Sequence, residues 1–197
     1  MTTSAPIRLR GTALREKILD TALTLFSEHG YFNTSIHDIR REAGVSIGAI
    51  YHHFGNKEAL AKALYDELLG RMQQAIDDAV AGHRDCLERS RAIIGRLFDL
   101  TVDEPDTMQF VLLAQHREFL RDEPPICSSQ PFRIMRQVIE DGMASGEVRQ
   151  MEPWVAASAM FGGALRMMNL QLDDALEQPL GRYLDEVVDC AWRAIAA

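Results

Sequence analysis

The chain has 197 residues, of which 47% are hydrophobic and 25% are charged, and its formal net charge at pH 7 is −8. This length and composition fit a globular protein of one or two domains that can bury its core without disulfide bonds. A chain this acidic should repel a polyanion such as DNA, unless its charges are unevenly distributed.

The charges are indeed uneven along the chain. Residues 1–60 contain seven Lys and Arg against six Asp and Glu, and four of the six histidines, so the rest carries a formal charge of −9. The N-terminal segment is therefore the part where a polyanion can dock without strong repulsion. There is no run of about 18 apolar residues, and the first ten residues lack the apolar centre of a signal peptide, so we expect a cytoplasmic protein with no membrane partner.

Helical periodicity runs through the whole sequence, and no alternating strand pattern competes with it. A first helix is predicted to end at Gly30, and its apolar face consists of Leu14, Ile18, Ala22, Leu25 and Phe26. Two short helices follow at about 35–43 and 47–54, with Gly44 between them and serines as N-caps. A long fourth helix is predicted at 57–80, after the capping residue Asn56.

Five more helices are predicted at about 85–102, 106–121, 131–144, 153–172 and 180–196. Prolines stand near the start of four of them, where a residue without an N–H is tolerated. The segment around Pro124 and Pro125 reads as a loop. We therefore predict an all-α protein of about nine helices.

The segment from Thr34 to Leu60 has the features that a helix-turn-helix requires. Gly44 permits a tight turn between the two short helices. The apolar residues that have suitable spacing to lock these helices together are Ile36, Ile39, Ala43, Val45 and Ile50. The second helix must expose a small N-terminal face to enter the major groove of DNA, and here that face consists of Ser46, Ile47, Gly48 and Ala49. Side chains that can donate to phosphate oxygens flank this face: Tyr51, His52, His53 and Lys57.

This segment resembles the DNA-binding domain of TetR/AcrR-type transcriptional repressors. The matching pieces are Thr34-Ser35, Asp38-Ile39, Ala43-Gly44-Val45-Ser46, Gly48-Ala49-Ile50-Tyr51, His53-Phe54 and Asn56-Lys57-Glu58-Ala59-Leu60. The stretch that begins at Ile18 is similar to the first helix of that family. The resemblance implies an N-terminal three-helix helix-turn-helix domain at 1–56 and a C-terminal effector-binding and dimerisation domain at 57–197, with helix 57–80 as the connector.

The resemblance also implies roles for matched positions. Phosphate contacts are expected from Thr34, Ser35, Tyr51, His53 and Lys57, and a base or phosphate contact from His37. The base-reading positions correspond to Ile47, Gly48 and Ala49. Because their side chains carry no hydrogen-bond donors, reading by these residues would depend on thymine methyl groups, backbone atoms or water.

An N-terminal arm is a further candidate for DNA contact. Arg8 and Arg10 precede the first helix, and we expect them to extend into a flanking minor groove.

The C-terminal half is rich in methionine and phenylalanine, whose soft side chains suit an adaptable apolar pocket, although each one also suits an ordinary core. We predict a pocket for a small apolar or aromatic effector, with His116 as a possible polar anchor. Its lining is predicted to be Phe98, Val102, Phe110, Leu113, Phe132, Met135, Met160 and Met167.

The last two helices carry more apolar surface than one subunit needs, which favours a homodimer with a four-helix interface. A monomer that packs both helices internally is the alternative. The predicted interface residues are Phe161, Leu165, Tyr183, Leu184, Val187, Val188, Ala191 and Trp192. A two-fold dimer would read an inverted-repeat operator in double-stranded DNA.

No metal site, cofactor or catalytic site is predicted. The three cysteines have no ligand spacing, although redox sensing by them stays open. The predicted function is a ligand-responsive repressor released by its effector. An effector-independent architectural DNA-binding protein and a small all-helical enzyme are the alternatives. The operator, the regulated genes, the effector and the choice between repression and activation do not follow from the sequence.

Overall fold

The computed structural model describes residues 11–197, and the secondary structure of this range is almost entirely helical, as predicted. Its nine α-helices are α1 Thr12–His29, α2 Ile36–Ala43, α3 Ile47–Phe54, α4 Lys57–Val80, α5 Cys86–Asp103, α6 Pro105–Leu113, α7 Gln130–Ser145, α8 Pro153–Leu172 and α9 Leu184–Ile195. Within the same range, β pairing is limited to one bridge between Val148 and Ala196. None of these helices is both long and apolar enough to cross a bilayer.

Helices α1 to α3 pack into a small unit, which we call the reading head (residues 12–54). Ile18 of α1, Ile39 of α2 and Ile50 of α3 are completely buried in its centre. Gly44 adopts a left-handed conformation (φ 63°) at the end of α2, which turns the chain sharply into α3. The apolar residues predicted to lock the two short helices therefore do so.

The remaining helices form the body, in which α5 packs against α4, α7, α8 and α9. Helix α4 starts beside the reading head and buries one face in the body through Leu64, Leu68, Met72 and Ile76. These four residues recur at every fourth position and therefore lie along one side of the helix.

Two predicted helices are shorter than expected. The helix predicted at 106–121 ends at Leu113, because Ala114 is extended and a short 3-10 turn follows at His116–Glu118. The helix predicted at 180–196 begins with a 3-10 turn at Leu180–Tyr183, and its α-helical part starts only at Leu184. Residues 114–129 therefore form a long irregular connection, the α6–α7 segment.

Helix α1 of the reading head contacts two helices of the body, α4 and α6. Ser27 of α1 donates from its hydroxyl to the Asp106 carbonyl at 3.1 Å, and Gln109 of α6 donates to the Ser27 carbonyl at 3.3 Å. Arg15 of α1 forms an ion pair with Glu67 of α4 at 2.8 Å. Helices α4 and α6 thus both connect the body to the reading head.

Candidate DNA-binding surface

Helix α3 presents a narrow exposed stripe over a buried apolar base. Gly48, Tyr51 and His52 are exposed at the i, i+3 and i+4 positions, while Ile50 and Phe54 are buried beneath them. Ile47 and Ala49 are half-buried at the edge of the stripe. A helix with a small residue near its N-terminus can approach the major groove of DNA closely. The Tyr51 phenol and the His52 imidazole, further along α3, can then donate to phosphate oxygens at the edge of the groove.

The two serines predicted as DNA contacts are the N-caps of their helices. Ser46 accepts a hydrogen bond from the Ala49 N–H at 3.2 Å. Ser35 accepts from the Asp38 N–H at 3.2 Å, and Asp38 accepts from the Ser35 N–H at 3.0 Å, which completes a capping box. Both serines remain exposed, so their caps leave them at the surface.

Asp38 is strongly held as an anion within this box. The Ser35 hydroxyl and N–H donate to it, and Arg41 donates to its second oxygen at 2.7 Å, so its pKa is lowered to about 2. The carboxylate therefore stays ionised beside the proposed DNA surface and fixes the start of α2.

Thr34 is not available to DNA in this structure, which corrects its predicted phosphate contact. Its side chain is only 2% exposed. The hydroxyl lies within hydrogen-bond distance of the Leu25 and Gly30 carbonyls, at 3.1 and 3.0 Å. Thr34 therefore ties the start of α2 back to the end of α1.

The Lys57 ammonium is engaged within the protein, and its predicted phosphate contact stays a prediction. It donates to the carbonyls of Tyr31 and Thr34 at 2.9 and 2.8 Å. It also lies 4.0 Å from the centre of the Tyr31 ring, within range of a cation–π interaction. Partial burial lowers the pKa of Lys57.

The other predicted DNA contacts differ in their accessibility. His37 is exposed on α2, whereas His53 is half-buried beside His52 and Phe54. Arg8 and Arg10 lie outside the described residues. The predicted DNA contacts that the structure places together at the surface are Ser35, His37, Ser46, Gly48, Tyr51 and His52.

The predicted effector residues do not line one site. Val102 and Leu113 are 54% and 41% exposed, so they cannot belong to an enclosed pocket here. Phe132 and Met167 are partly buried against the core. The other four are buried within the close-packed core: Phe98, Phe110, Met135 and Met160. An effector that used these residues would have to displace core side chains.

His116 is buried among aromatic rings at the end of α6. Its ring centre lies 4.4 Å from that of Tyr65 and 5.1 Å from that of Phe110. Its Nε2 has no hydrogen-bond partner among residues 11–197. Burial lowers the pKa of His116 to about 4, so the imidazole is neutral at pH 7.

A cleft of about 280 Å³ lies where the reading head meets α6 and the α6–α7 segment. Two predicted effector residues contribute to it, Phe110 and Leu113. Four aromatic rings also line it, those of Phe26, Tyr31, Phe32 and Phe119, together with polar residues such as Gln109 and Glu118. Tyr31, Phe32 and Phe119 are not among the predicted site residues, and the signal available for the first two was an aromatic pair directly after the helix-ending Gly30.

A second cleft, of about 270 Å³, opens between α4, α5 and α6. Arg71 and Glu104 form an ion pair at its lining, and Leu68, Met72 and Met108 supply apolar atoms. This cleft borders α4, the helix predicted to connect the two domains.

Three predicted interface residues lie inside the subunit, which corrects their assignment to a dimer surface. Phe161, Val188 and Ala191 are 3%, 1% and 8% exposed. Leu184 is also turned inward, because its side chain packs over Gly95 of α5. Leu165, Tyr183, Val187 and Trp192 keep part of their surface accessible.

The cysteines fall into two classes. Cys86 is buried, and burial raises the pKa of its thiol to about 11, which keeps it protonated and unreactive at neutral pH. Cys127 and Cys190 are exposed free thiols.

Two family profiles together match most of the chain. The profile described as "Bacterial regulatory proteins, tetR family" matches residues 18–64. The profile described as "Tetracyclin repressor-like, C-terminal domain" matches residues 65–197. The HTH-type transcriptional regulator LmrA of Bacillus subtilis (strain 168) is 37% identical over 160 residues, which cover 77% of this chain and 84% of LmrA.

Solved structures share the fold of the whole chain. The fatty acid degradation regulator FadR from Bacillus halodurans superposes with a TM-score of 0.80 at 20% identity, covering 94% of this chain and 97% of FadR. The regulator FadR from Bacillus subtilis in complex with stearoyl-CoA superposes with a TM-score of 0.77 at 20% identity, covering 89% of this chain and 96% of that one. At this identity the likeness shows a common fold.

Proposed function

The chain belongs to the TetR family of bacterial regulatory proteins, and we propose that it represses transcription from an inverted-repeat operator and leaves that operator on binding a small apolar effector. Membership makes it a transcriptional regulator with an N-terminal helix-turn-helix. The proposed function involves no catalytic step. The division into residues 1–56 and 57–197 is part of this proposal.

The exposed stripe of α3 is the observation that carries the DNA-binding proposal. Gly48 lets the helix backbone approach base edges closely, and Tyr51 and His52 can donate to phosphates at the groove rim. Ser46 and the buried Ile50 hold the helix at a fixed angle. These features support reading by shape, methyl contacts and water, because the stripe offers few base-specific donors.

We propose that the apolar part of the effector is a fatty acyl chain, carried as a thioester. The support comes from the fold shared with a FadR bound to stearoyl-CoA, and from the methionine-rich core between α5, α7 and α8. Methionine repacks at low cost, so Met135 and Met160 can move aside for an acyl chain. The irregular α6–α7 segment is the element most able to yield during such entry.

The dimer interface is proposed to lie on the uncovered faces of α8 and α9. On α8 this face is formed by small or apolar residues such as Val155, Ala159 and Gly162. On α9 it is formed by Val187, and Tyr183 adjoins it from the 3-10 turn that precedes α9. Such faces permit close helix approach and would place two α3 helices on one side of the dimer.

Selection of binding sites from a library of random DNA duplexes tests this function. We expect an inverted repeat whose half-sites lie one helical turn, or a multiple of it, apart. Replacement of His52 by alanine should weaken binding to that site, whereas the matched replacement of His83, an exposed histidine after α4, should not. Recovery of no preferred sequence would contradict the proposal and favour an architectural DNA-binding protein.

A further inference from the structure

Lys57 joins the first turn of α4 to the reading head through the connection between α1 and α2. Its ammonium has three donors, and two of them are used by the Tyr31 and Thr34 carbonyls at 2.9 and 2.8 Å. The same ammonium lies over the Tyr31 ring at 4.0 Å. Two charge-assisted hydrogen bonds and a cation–π contact therefore hold the ammonium against the connection between α1 and α2 and leave it one further donor.

Tyr31 also contacts the body. Its ring is stacked on that of Phe119, with centres 4.1 Å apart and planes inclined by 13°. The Phe119 ring lies 5.7 Å from that of His116, which in turn lies 4.4 Å from that of Tyr65 on α4. A continuous row of side chains therefore connects Lys57, through the α6–α7 segment, back to the third turn of α4.

Resting on the proposed function, we infer that Lys57 is a positioning residue that fixes the angle of the reading head, and that the Tyr31–Phe119 stack is the contact through which the α6–α7 segment acts on that head. Movement of this segment shifts Phe119 and the stacked Tyr31. The two carbonyl contacts of Lys57 then loosen, and the reading head loses its fixed orientation to α4. The charges that face DNA do not change in this process.

The salt dependence of DNA binding separates a positioning role from a phosphate contact. In Lys57→Met the side chain keeps its length but loses its charge and its donors. A phosphate contact would lower the slope of log affinity against log salt by about 0.9 for each subunit. We expect an unchanged slope and an affinity about tenfold lower at every salt concentration, measured on the duplex selected above. A slope reduced by about 0.9 per subunit would overturn the inference.

Phe119→Leu tests the second half of the inference. This substitution removes a ring but no charge, and Phe119 lies on the body, outside the reading head. We expect Phe119→Leu to weaken DNA binding by a similar factor. The double variant Lys57→Met/Phe119→Leu should bind DNA at most about twofold more weakly than the weaker-binding single variant. Wild-type affinity in Phe119→Leu, or fully multiplicative effects, would contradict a shared pathway.

Hydrogen exchange on the free protein tests the same contacts without DNA, so its result does not depend on the proposed function. We expect amides of residues 31–38 to exchange about tenfold faster in both Lys57→Met and Phe119→Leu. The matched control is Lys17→Met on α1, because Lys17 is an exposed lysine of the reading head itself. Unchanged exchange at 31–38 in Lys57→Met, or an equal increase in Lys17→Met, would overturn the role of Lys57.

Discussion

His116 shows how one buried side chain makes stability depend on pH. Its folded pKa of about 4 lies below the ordinary value of 6.5, so the unfolded chain binds a proton more readily than the folded protein. The stabilising contribution of neutral His116 is therefore complete above about pH 6.5 and is lost as the pH falls towards 4.

Replacement of His116 by phenylalanine should remove this dependence. Between pH 7 and pH 5 the wild type should lose about 1–2 kcal/mol more unfolding free energy than His116→Phe, as measured by urea denaturation. Parallel pH profiles for the two proteins would show that the imidazole is not buried as described here.

The sequence motif does not predict where the side chains of Thr34 and Lys57 point. The spacing from Thr34 to Leu60 correctly predicted two short helices, their serine caps and the buried lock at Ile39 and Ile50. The direction of the Thr34 and Lys57 side chains depends instead on carbonyls of α1 and of the following connection. Such tertiary partners leave no periodic signal in the sequence.

At the scale of elements, α7 packs so closely on α5 that one glycine has no room for a side chain. A Cβ at Gly142 would lie 2.6 Å from the Cys86 Sγ and 2.9 Å from the Val148 Cγ2. Gly142→Ala should therefore destabilise the protein by about 1–3 kcal/mol, because both neighbours would have to shift.

Gly70 of α4 is the matched control for this prediction. A Cβ there meets no atom within 4 Å, so Gly70→Ala should stabilise the protein by about 0.5–1 kcal/mol through its better helix propensity. Thermal and urea unfolding measure both effects. Equal stability of the two variants would contradict the close packing of α5 and α7.

The end of α6 was the least predictable boundary. Apolar residues continue past Leu113, so periodicity favoured a helix to residue 121. The structure instead turns at Ala114, which allows the His116 and Phe119 rings to pack against Tyr65 and Tyr31. The aromatic contacts that replace the helical hydrogen bonds join residues distant in sequence, so the local sequence pattern does not reveal them.

At the scale of the whole molecule, the proposed dimer surface can be tested without disturbing the core. Val188 is unsuitable because it is buried inside the subunit, whereas a Cβ at Gly162 on α8 meets no atom of the described part of the chain within 4 Å. Gly162→Arg should therefore fold normally and sediment as a monomer, because arginine would block close approach of a second α8.

Gly70→Arg on α4 is the control and should remain a dimer in the same sedimentation experiment. A dimer in Gly162→Arg, with unchanged circular dichroism, would place the interface elsewhere. Monomers of wild type at micromolar concentration would contradict a dimer altogether.

The central claim is that effector binding and operator binding oppose each other in one molecule. The most direct measurement is the affinity for stearoyl-CoA of the free protein and of the protein saturated with its selected operator, together with the reciprocal titration of operator in the presence of stearoyl-CoA. Linkage requires the same factor in both directions, and we predict at least tenfold, or about 1.4 kcal/mol. Equal stearoyl-CoA affinity with and without operator, or no binding in either state, would contradict an acyl-thioester-released repressor.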